Sequence, residues 1–307
     1  MKIAITGSSG LIGSALTSHL REGGHEVVRL VRRPPGAADE VRWNPRGPAG
    51  RAGAAAGQAA APPPGFDGVD AVVNLAGAPI ASGRWTAARK REIRASRVEG
   101  TSALTTMLAG LRDRPSVLLS GSAIGWYGDT GGHEVTESAP AGSGFLPGVV
   151  RDWEAATAPA RDAGIRVVHL RTGLVLSRSG GVLGKLVPLF RLGLGGRLGP
   201  GTQYMSWISI TDVAEAVSFL LDRPDIAGPV NLTAPHPVTN AELTSALASA
   251  LGRPAVARFP TVALNIALGE AAVELLKSAR ILPGRLAGAG YQFRHATIGS
   301  ALASELR

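Results

Sequence analysis

The sequence predicts an α/β fold, a doubly wound parallel sheet with a smaller lobe built from its C-terminal part. Three observations predict it. Short apolar runs alternate with amphipathic helical patterns from the start of the chain, as βαβ units require. The first run, Ile3-Ala4-Ile5, feeds a glycine loop, TGSSGLIG at 6–13, that opens directly into a helical pattern. After residue 171 the texture changes to glycine-rich loops and shorter elements, which marks the lobe.

Each element can be taken in order. Residues 2–6 read as a strand, 11–22 as a helix and 26–31 as a strand. Residues 47–65, GPAGRAGAAAGQAAAPPPG, lack apolar periodicity and read as a flexible low-complexity insert. Then follow a strand at 69–75, a helix at 86–110, a strand at 115–120, one helix over 148–163 and a strand at 165–170. Residues 207–222 read as a strand running into a helix capped near Thr211 or Asp212. Helices are expected at 239–251 and, as one piece, near 262–277. The expected division is 1–171 with 206–231 for the large domain, and 172–205 with 232–307 for the lobe.

Composition narrows the function. The 307 residues contain no cysteine, which excludes disulfides, thiolate nucleophiles and cysteine-ligated zinc. The net charge of +9 is carried mostly by scattered arginines, without the aromatic-interleaved basic stripe of a nucleic-acid binder. No apolar run is long enough for a membrane span, and the opening strand leaves no leader pattern, so a cytoplasmic location is expected. The six histidines lack metal spacing, and no metal is expected. The expected partner is a small molecule of unknown identity, with a homodimer left open.

Gly7, Gly10 and Gly13 are spaced three apart. Glycine there allows a tight turn, leaves room for a pyrophosphate and lets the helix starting at Leu11 or Ile12 aim its amides at phosphate. The strand at 26–31 then ends in Val31-Arg32-Arg33, with no carboxylate for a ribose hydroxyl. Two guanidiniums in that place suit a 2′-phosphate, so the expected cofactor is NADP(H).

TGSSGLIG, Asn74-Leu75-Ala76-Gly77 and SGSAIGWYG at 120–128 resemble the extended short-chain dehydrogenase/reductase superfamily. RWTAARKREIRASRVEGT (84–101), RDWEAA (151–156), LRTGLVLS (170–177) and RILPGRLAGAGYQFRH (280–295) resemble its atypical epimerase-like branch, labelled nucleoside-diphosphate-sugar epimerase or SulA-like cell-division inhibitor. The resemblance implies a seven-stranded Rossmann sheet to which 207–222 returns, and a C-terminal domain belonging to that branch. It also implies cofactor contacts at Gly7, Ser9, Gly10, Leu11, Ile12, Gly13, Arg32, Arg33, Leu75, Ala76, Gly77 and Ser120.

The superfamily's catalytic tyrosine and lysine, four residues apart, are missing. In SGFLPGVVRDWEAA (143–156) the tyrosine's place falls on Phe145 or Leu146 and the lysine's on Val149 or Val150. Ser122 fits the polarising hydroxyl, and Tyr127 is the candidate phenol. Trp85, Lys90, Arg151 and Trp207 are candidate substrate contacts, with Trp126 and Trp153 in matched stretches. Sugar-nucleotide members carry a phosphate-binding arginine where this chain has Met205, and the branch's usual histidine is Ser209. The expected function is an NADP(H)-dependent oxidoreductase on a small carbonyl or hydroxyl compound with a non-standard proton donor. A non-catalytic NADP(H)-binding, redox-sensing protein is the alternative, and nucleoside-diphosphate-sugar epimerisation the third reading.

Overall fold

The computed structural model describes residues 1–45, 62–80 and 83–306. β1 (Lys2–Thr6) is buried along nearly its whole length, which suits an apolar central strand covered on both faces. α1 (Leu11–Glu22) turns Gly13, Leu16, Thr17 and Leu20 inward, and β2 (Glu26–Val31) returns beside β1. β3 (Glu40–Arg42) adds a three-residue edge strand that no apolar run announced. Most of the expected insert at 47–65 lies outside the described residues. Its end does not: Phe66 donates its amide to Pro63 (3.1 Å) and buries its ring in the core.

β4 (Ala71–Asn74) is followed by α2 (Ala87–Ala109), whose first turn is capped by the Thr86 hydroxyl, accepting from the Arg89 amide at 3.2 Å. β5 (Val117–Ala123) runs into a 3₁₀ turn at Ile124–Trp126, and β6 (Glu134–Val135) lies in the loop beyond. The single helix expected over 148–163 is two, α3 (Phe145–Ala155) and α4 (Ala158–Asp162). Pro159 explains the break, because it lacks an N–H and fits the first turn of a new helix. β7 (Arg166–Thr172) completes this half.

The chain then leaves the large sheet through β8 (Leu174–Ser177), α5 (Gly181–Arg191), β9 (Gly196–Leu198), β10 (Tyr204–Met205) and β11 (Trp207–Ser209). It returns with α6 (Ile210–Leu221) and β12 (Gly228–Leu232). The remainder is β13 (Val238–Thr239), α7 (Asn240–Leu251), β14 (Ala257–Phe259), α8 (Thr261–Leu268), α9 (Glu270–Leu276), β15 (Arg280–Ile281), α10 (Gly284–Gly288) and α11 (Ile298–Glu305). The helix expected near 262–277 breaks between α8 and α9 at Gly269, whose φ of +60° an L side chain rarely adopts.

The seven-stranded sheet is all parallel, in the order β12-β7-β5-β4-β1-β2-β3. One face packs Ile3, Ile5, Leu119 and Leu170 against Leu16 and Leu20 of α1 and Val213, Val217 and Leu220 of α6. The other packs Val28, Leu118 and Val167 against Leu104, Met107 and Leu108 of α2. One expectation changes: β11 does not rejoin this sheet. It pairs with β8 in a separate parallel pair, because Trp207 is drawn into the lobe's own cluster with Leu183, Phe190 and Leu247. The strand that returns is β12. β15 in turn pairs with β6, so the lobe's end is stitched back to the large domain. Among the described residues, no helix is long and apolar enough to cross a membrane.

Candidate dinucleotide site and the network beside it

The strand order reverses between β1 and β4, and in open α/β sheets ligands bind outside the carboxyl ends of the strands at that point. The loop after β1 and the loop after β4 touch there. Gly7 has φ +68°, and a Cβ on it would sit 2.7 Å from the Leu75 carbonyl carbon and oxygen. A Cβ on Gly13 would run into the Gly7 carbonyl oxygen. Thr6 fastens the two strand ends: its hydroxyl donates to Asn74 Oδ1 (2.6 Å) and accepts from the amides of Leu75 (3.1 Å) and Ala76 (3.2 Å). Gly10, at the N-cap of α1, supplies no side-chain acceptor to the first-turn amides, which leaves them for an anion. Ser9, Gly10 and Gly77 are exposed, and Leu11, Ile12, Leu75 and Ala76 are half-buried around the same mouth.

At the end of β2 the two arginines part company. Arg32 is exposed and has no hydrogen-bond or ion-pair partner among the described residues. Arg33 forks onto Glu40 through Nη1 (2.7 Å) and Nη2 (2.6 Å), and the same carboxylate accepts the Gly36 amide at 2.8 Å. These contacts hold the Glu40 carboxyl below its ordinary range, the hydrogen bond from Arg33 first. Arg33, expected as a second phosphate ligand, is thus already paired, and Glu40 has no vacancy for a ribose hydroxyl.

Ser122, Arg171 and Asn231 form a row across β5, β7 and β12, each in register with the next. Ser122 is 5% exposed and donates to Glu154 Oε1 at 2.6 Å. Arg171 grips the same carboxylate with Nε (2.8 Å) and Nη2 (2.9 Å), and its guanidinium lies 3.9 Å from the Trp126 ring centroid. Tyr127, 4% exposed, donates to Asn231 Oδ1 (2.7 Å) and accepts from Arg171 Nη1 (3.0 Å). Burial pushes the phenol up from its ordinary value, against the pull of Arg171. The two hydroxyls expected to serve a reacting oxygen are therefore turned into one buried network. Glu154 and Arg171 lie among other polar residues, in RDWEAA and RVVHLRT, so the sequence pattern alone does not single them out.

Other expected contacts are also enclosed. Ser120 is fully buried, its hydroxyl within the strand at 3.4 Å from the Gly121 carbonyl. Trp207 is fully buried and donates to the His236 carbonyl at 3.1 Å, so it touches the lobe interior and no cleft. Trp85 donates to the Ile80 carbonyl at 3.0 Å and meets Phe145 edge-on at 5.4 Å. Lys90 pairs with Glu270 and lies 5.3 Å over the Phe145 ring, while Arg151 is exposed on α3. Of the two registers for the absent tyrosine and lysine, Leu146 and Val150 face the end of β5. A Cβ on Gly125 would lie 3.5 Å from Leu146 Cβ and 3.8 Å from Val150 Cγ2. Val149 instead packs with Trp85 and Ile93. That surface is apolar.

An all-parallel, doubly wound sheet with a glycine-lined switch point defines a Rossmann-like α/β protein. The chain belongs to the NAD dependent epimerase/dehydratase family, whose model matches residues 3–232, and residues 259–305 match a domain of unknown function, DUF1731. An epimerase family protein of Mycobacterium tuberculosis is 48% identical over 301 residues, 98% of this chain and 96% of that one. The crystal structure of the human epimerase family protein SDR39U1 with NADPH superposes with a TM-score of 0.88 at 33% identity, covering 99% of each chain. A nucleoside-diphosphate sugar epimerase from Corynebacterium glutamicum gives 0.79 at 38% identity, covering 100% of this chain and 58% of that one.

Proposed function

We propose that the protein binds NADP(H) at the switch point and is an oxidoreductase acting on a small, largely apolar carbonyl or hydroxyl compound. The observation that carries the cofactor reading is the Arg32 guanidinium at the end of β2, exposed and without a partner among the described residues, beside an arginine–glutamate pair that is already made. The residues fit the cofactor. A side chain at Gly7 or Gly13 would close the cradle, and the uncapped first turn of α1 offers amides to a pyrophosphate. NADPH in the crystal structure of the human relative supports the same choice.

When bound, the nicotinamide supplies a hydride acceptor or donor. The chain's own residues shape what surrounds it. Leu146 and Val150 line the end of β5 and offer no ionisable group, while Ser122 and Tyr127 are held by Glu154 and Asn231. The proton that accompanies reduction of a carbonyl then comes from solvent in the cleft. Sugar-nucleotide epimerisation has less support, because Met205 stands where a phosphate-binding arginine is needed. The apolar Leu146–Val150 surface specifically favours a second reading, a protein that binds NADP(H) without turnover.

Titration calorimetry with NADPH and NADH tests the cofactor reading, and equal affinities would overturn it. Single-turnover oxidation of bound NADPH across a panel of carbonyl compounds separates the two readings. Oxidation with any member supports the oxidoreductase, and none across the panel supports the binding-only protein.

A further inference from the structure

The strand pair β9–β14 on the lobe has one closed edge and one open edge. Ala257 and Phe259 turn their backbone groups toward β9. The Ala257 amide donates to the Gly195 carbonyl (3.2 Å), and the Phe259 carbonyl accepts from the Gly199 amide (2.9 Å). On the far side of β9, the Leu198 amide donates to Asn240 Oδ1 (2.8 Å). The Leu198 carbonyl there accepts from the Gly201 amide (3.1 Å) and Gln203 Nε2 (3.0 Å). The far side of β14 has no such cover. By the alternation of the strand, the amide and carbonyl of Arg258 point outward, where no described strand pairs with them. Val256, two residues back on the same face, is 79% exposed.

The charges around this edge are of one sign. Arg197 and Arg258 are register partners on one face of the pair, and neither has a salt-bridge or hydrogen-bond partner among the described residues. Like charges facing each other across paired strands are destabilising, so the fold gains nothing from having both. Thr244, Ser245 and Ala248 of α7 join Arg197, Val256 and Arg258 around a depression of about 460 Å³. Residues 179–211 and 243–269 hold five Lys or Arg side chains, Lys185, Arg191, Arg197, Arg253 and Arg258, and no Asp or Glu. Glu242, just before the second stretch, is spent on the amide and hydroxyl of Thr239 (2.6 and 2.9 Å). Leu192 and Leu194, leading into β9, are exposed. A basic surface free of acids, with aliphatic side chains beside it, is complementary to carboxylates flanked by apolar residues.

We propose that the open edge of β14 receives an extended acidic segment of a partner protein, which adds to the pair as a third strand. The main chain of the segment bonds to the amide and carbonyl of Arg258. On the face toward the depression, one carboxylate meets Arg258 and Arg197, and an aliphatic side chain two residues away lies on Val256. The pleat sets that spacing, because side chains on one face of a strand recur every second residue. The surface lies on the lobe and does not depend on the cofactor reading.

The test titrates the full chain, by fluorescence anisotropy, with a labelled peptide, Thr-Ile-Thr-Glu-Thr-Ile-Thr-Glu. Its isoleucines and glutamates share one face and its threonines the other. Two controls carry lysine for glutamate, or N-methylated backbone amides. The acidic peptide should bind saturably below about 1 mM, and both controls at least about tenfold more weakly. Arg258→Glu should weaken the acidic peptide about tenfold or more and tighten the lysine peptide, with the melting temperature of the parent retained. Should Arg258→Glu fail to fold, Arg197→Gln serves in its place and should weaken the acidic peptide about threefold. Acidic-peptide binding that is unchanged in these variants, or equal for the N-methylated peptide, would overturn the strand addition. Displacement of the peptide by inorganic phosphate at equal concentration would mark a small-anion site instead. Sedimentation of the chain with phosphatidylglycerol vesicles, with no peptide bound, would mark a lipid surface. Either result overturns the proposal.

Discussion

The Ser122 hydroxyl points at Glu154, 2.6 Å away, and Arg171 holds the same carboxylate from its other side. Two strands, β5 and β7, meet the α3 carboxylate there, so its charge is neutralised inside the protein and not presented to a ligand. The energetic hierarchy follows. Ser122→Ala leaves Glu154 still forked by Arg171 and should cost about 1–3 kcal/mol. Glu154→Ala leaves a buried guanidinium without its partner and should cost about 3–5 kcal/mol. The double variant Glu154→Leu/Arg171→Met should recover much of that loss. Urea denaturation of the set checks the order, and a Glu154→Ala protein as stable as Ser122→Ala would contradict it.

Arg32→Ala should weaken NADPH binding by about ten- to a hundredfold, the value of one charge-assisted phosphate contact, and leave NADH nearly unchanged. Arg33→Ala should do much less, because its guanidinium is already spent on Glu40. Calorimetric titration of both variants decides between one phosphate ligand and two.

His169 gives the stability a pH dependence. Burial pushes its imidazole below the ordinary value, with Glu154 opposing, and its Nε2 lies 2.9 Å from the Thr157 hydroxyl. The unfolded chain then binds a proton more readily than the native one, so stability is full above about pH 6.5 and falls as pH drops toward the depressed native value. His169→Gln should flatten the melting-temperature profile between neutral and mildly acidic pH. An unchanged slope in that variant would place the dependence elsewhere.

Residues 47–61, without apolar periodicity, should be replaceable by a short Gly-Ser link with little loss of stability. Extending the cut through Phe66 should lower the melting temperature by several degrees, because that ring belongs to the core. Thermal unfolding of the two deletions distinguishes the linker from its anchor.

Much of this architecture is legible in the sequence. The run Ile3–Ile5, the glycine spacing and the helix from Leu11 needed only local rules, since period and turn chemistry are local. β3 and β15 escaped them because strands of three and two residues carry no period. Pro159 and Gly269 were visible as residue types, but their effect depended on whether a helix would pass through them. The site was less legible for a different reason. Spacing identifies a hydroxyl at 122 and a phenol at 127, whereas their partners are chosen by register with β7 and β12 much later in the chain. Arg97 carries no local signal of its burial, which arises from Trp153 and the loop after β4.

Two enclosed carboxylates depend on backbone amides made long after them. Glu137 accepts from the amides of Asn231 (2.9 Å) and Arg285 (3.2 Å), and Asp212 from those of Arg294 (2.8 Å) and His295 (3.0 Å). Both acids precede these donors in the chain, so the bonds form only once residues 285–295 are in place. A chain ending before that stretch carries every strand of the large sheet, yet lacks the amides that tie these two carboxylates to the lobe.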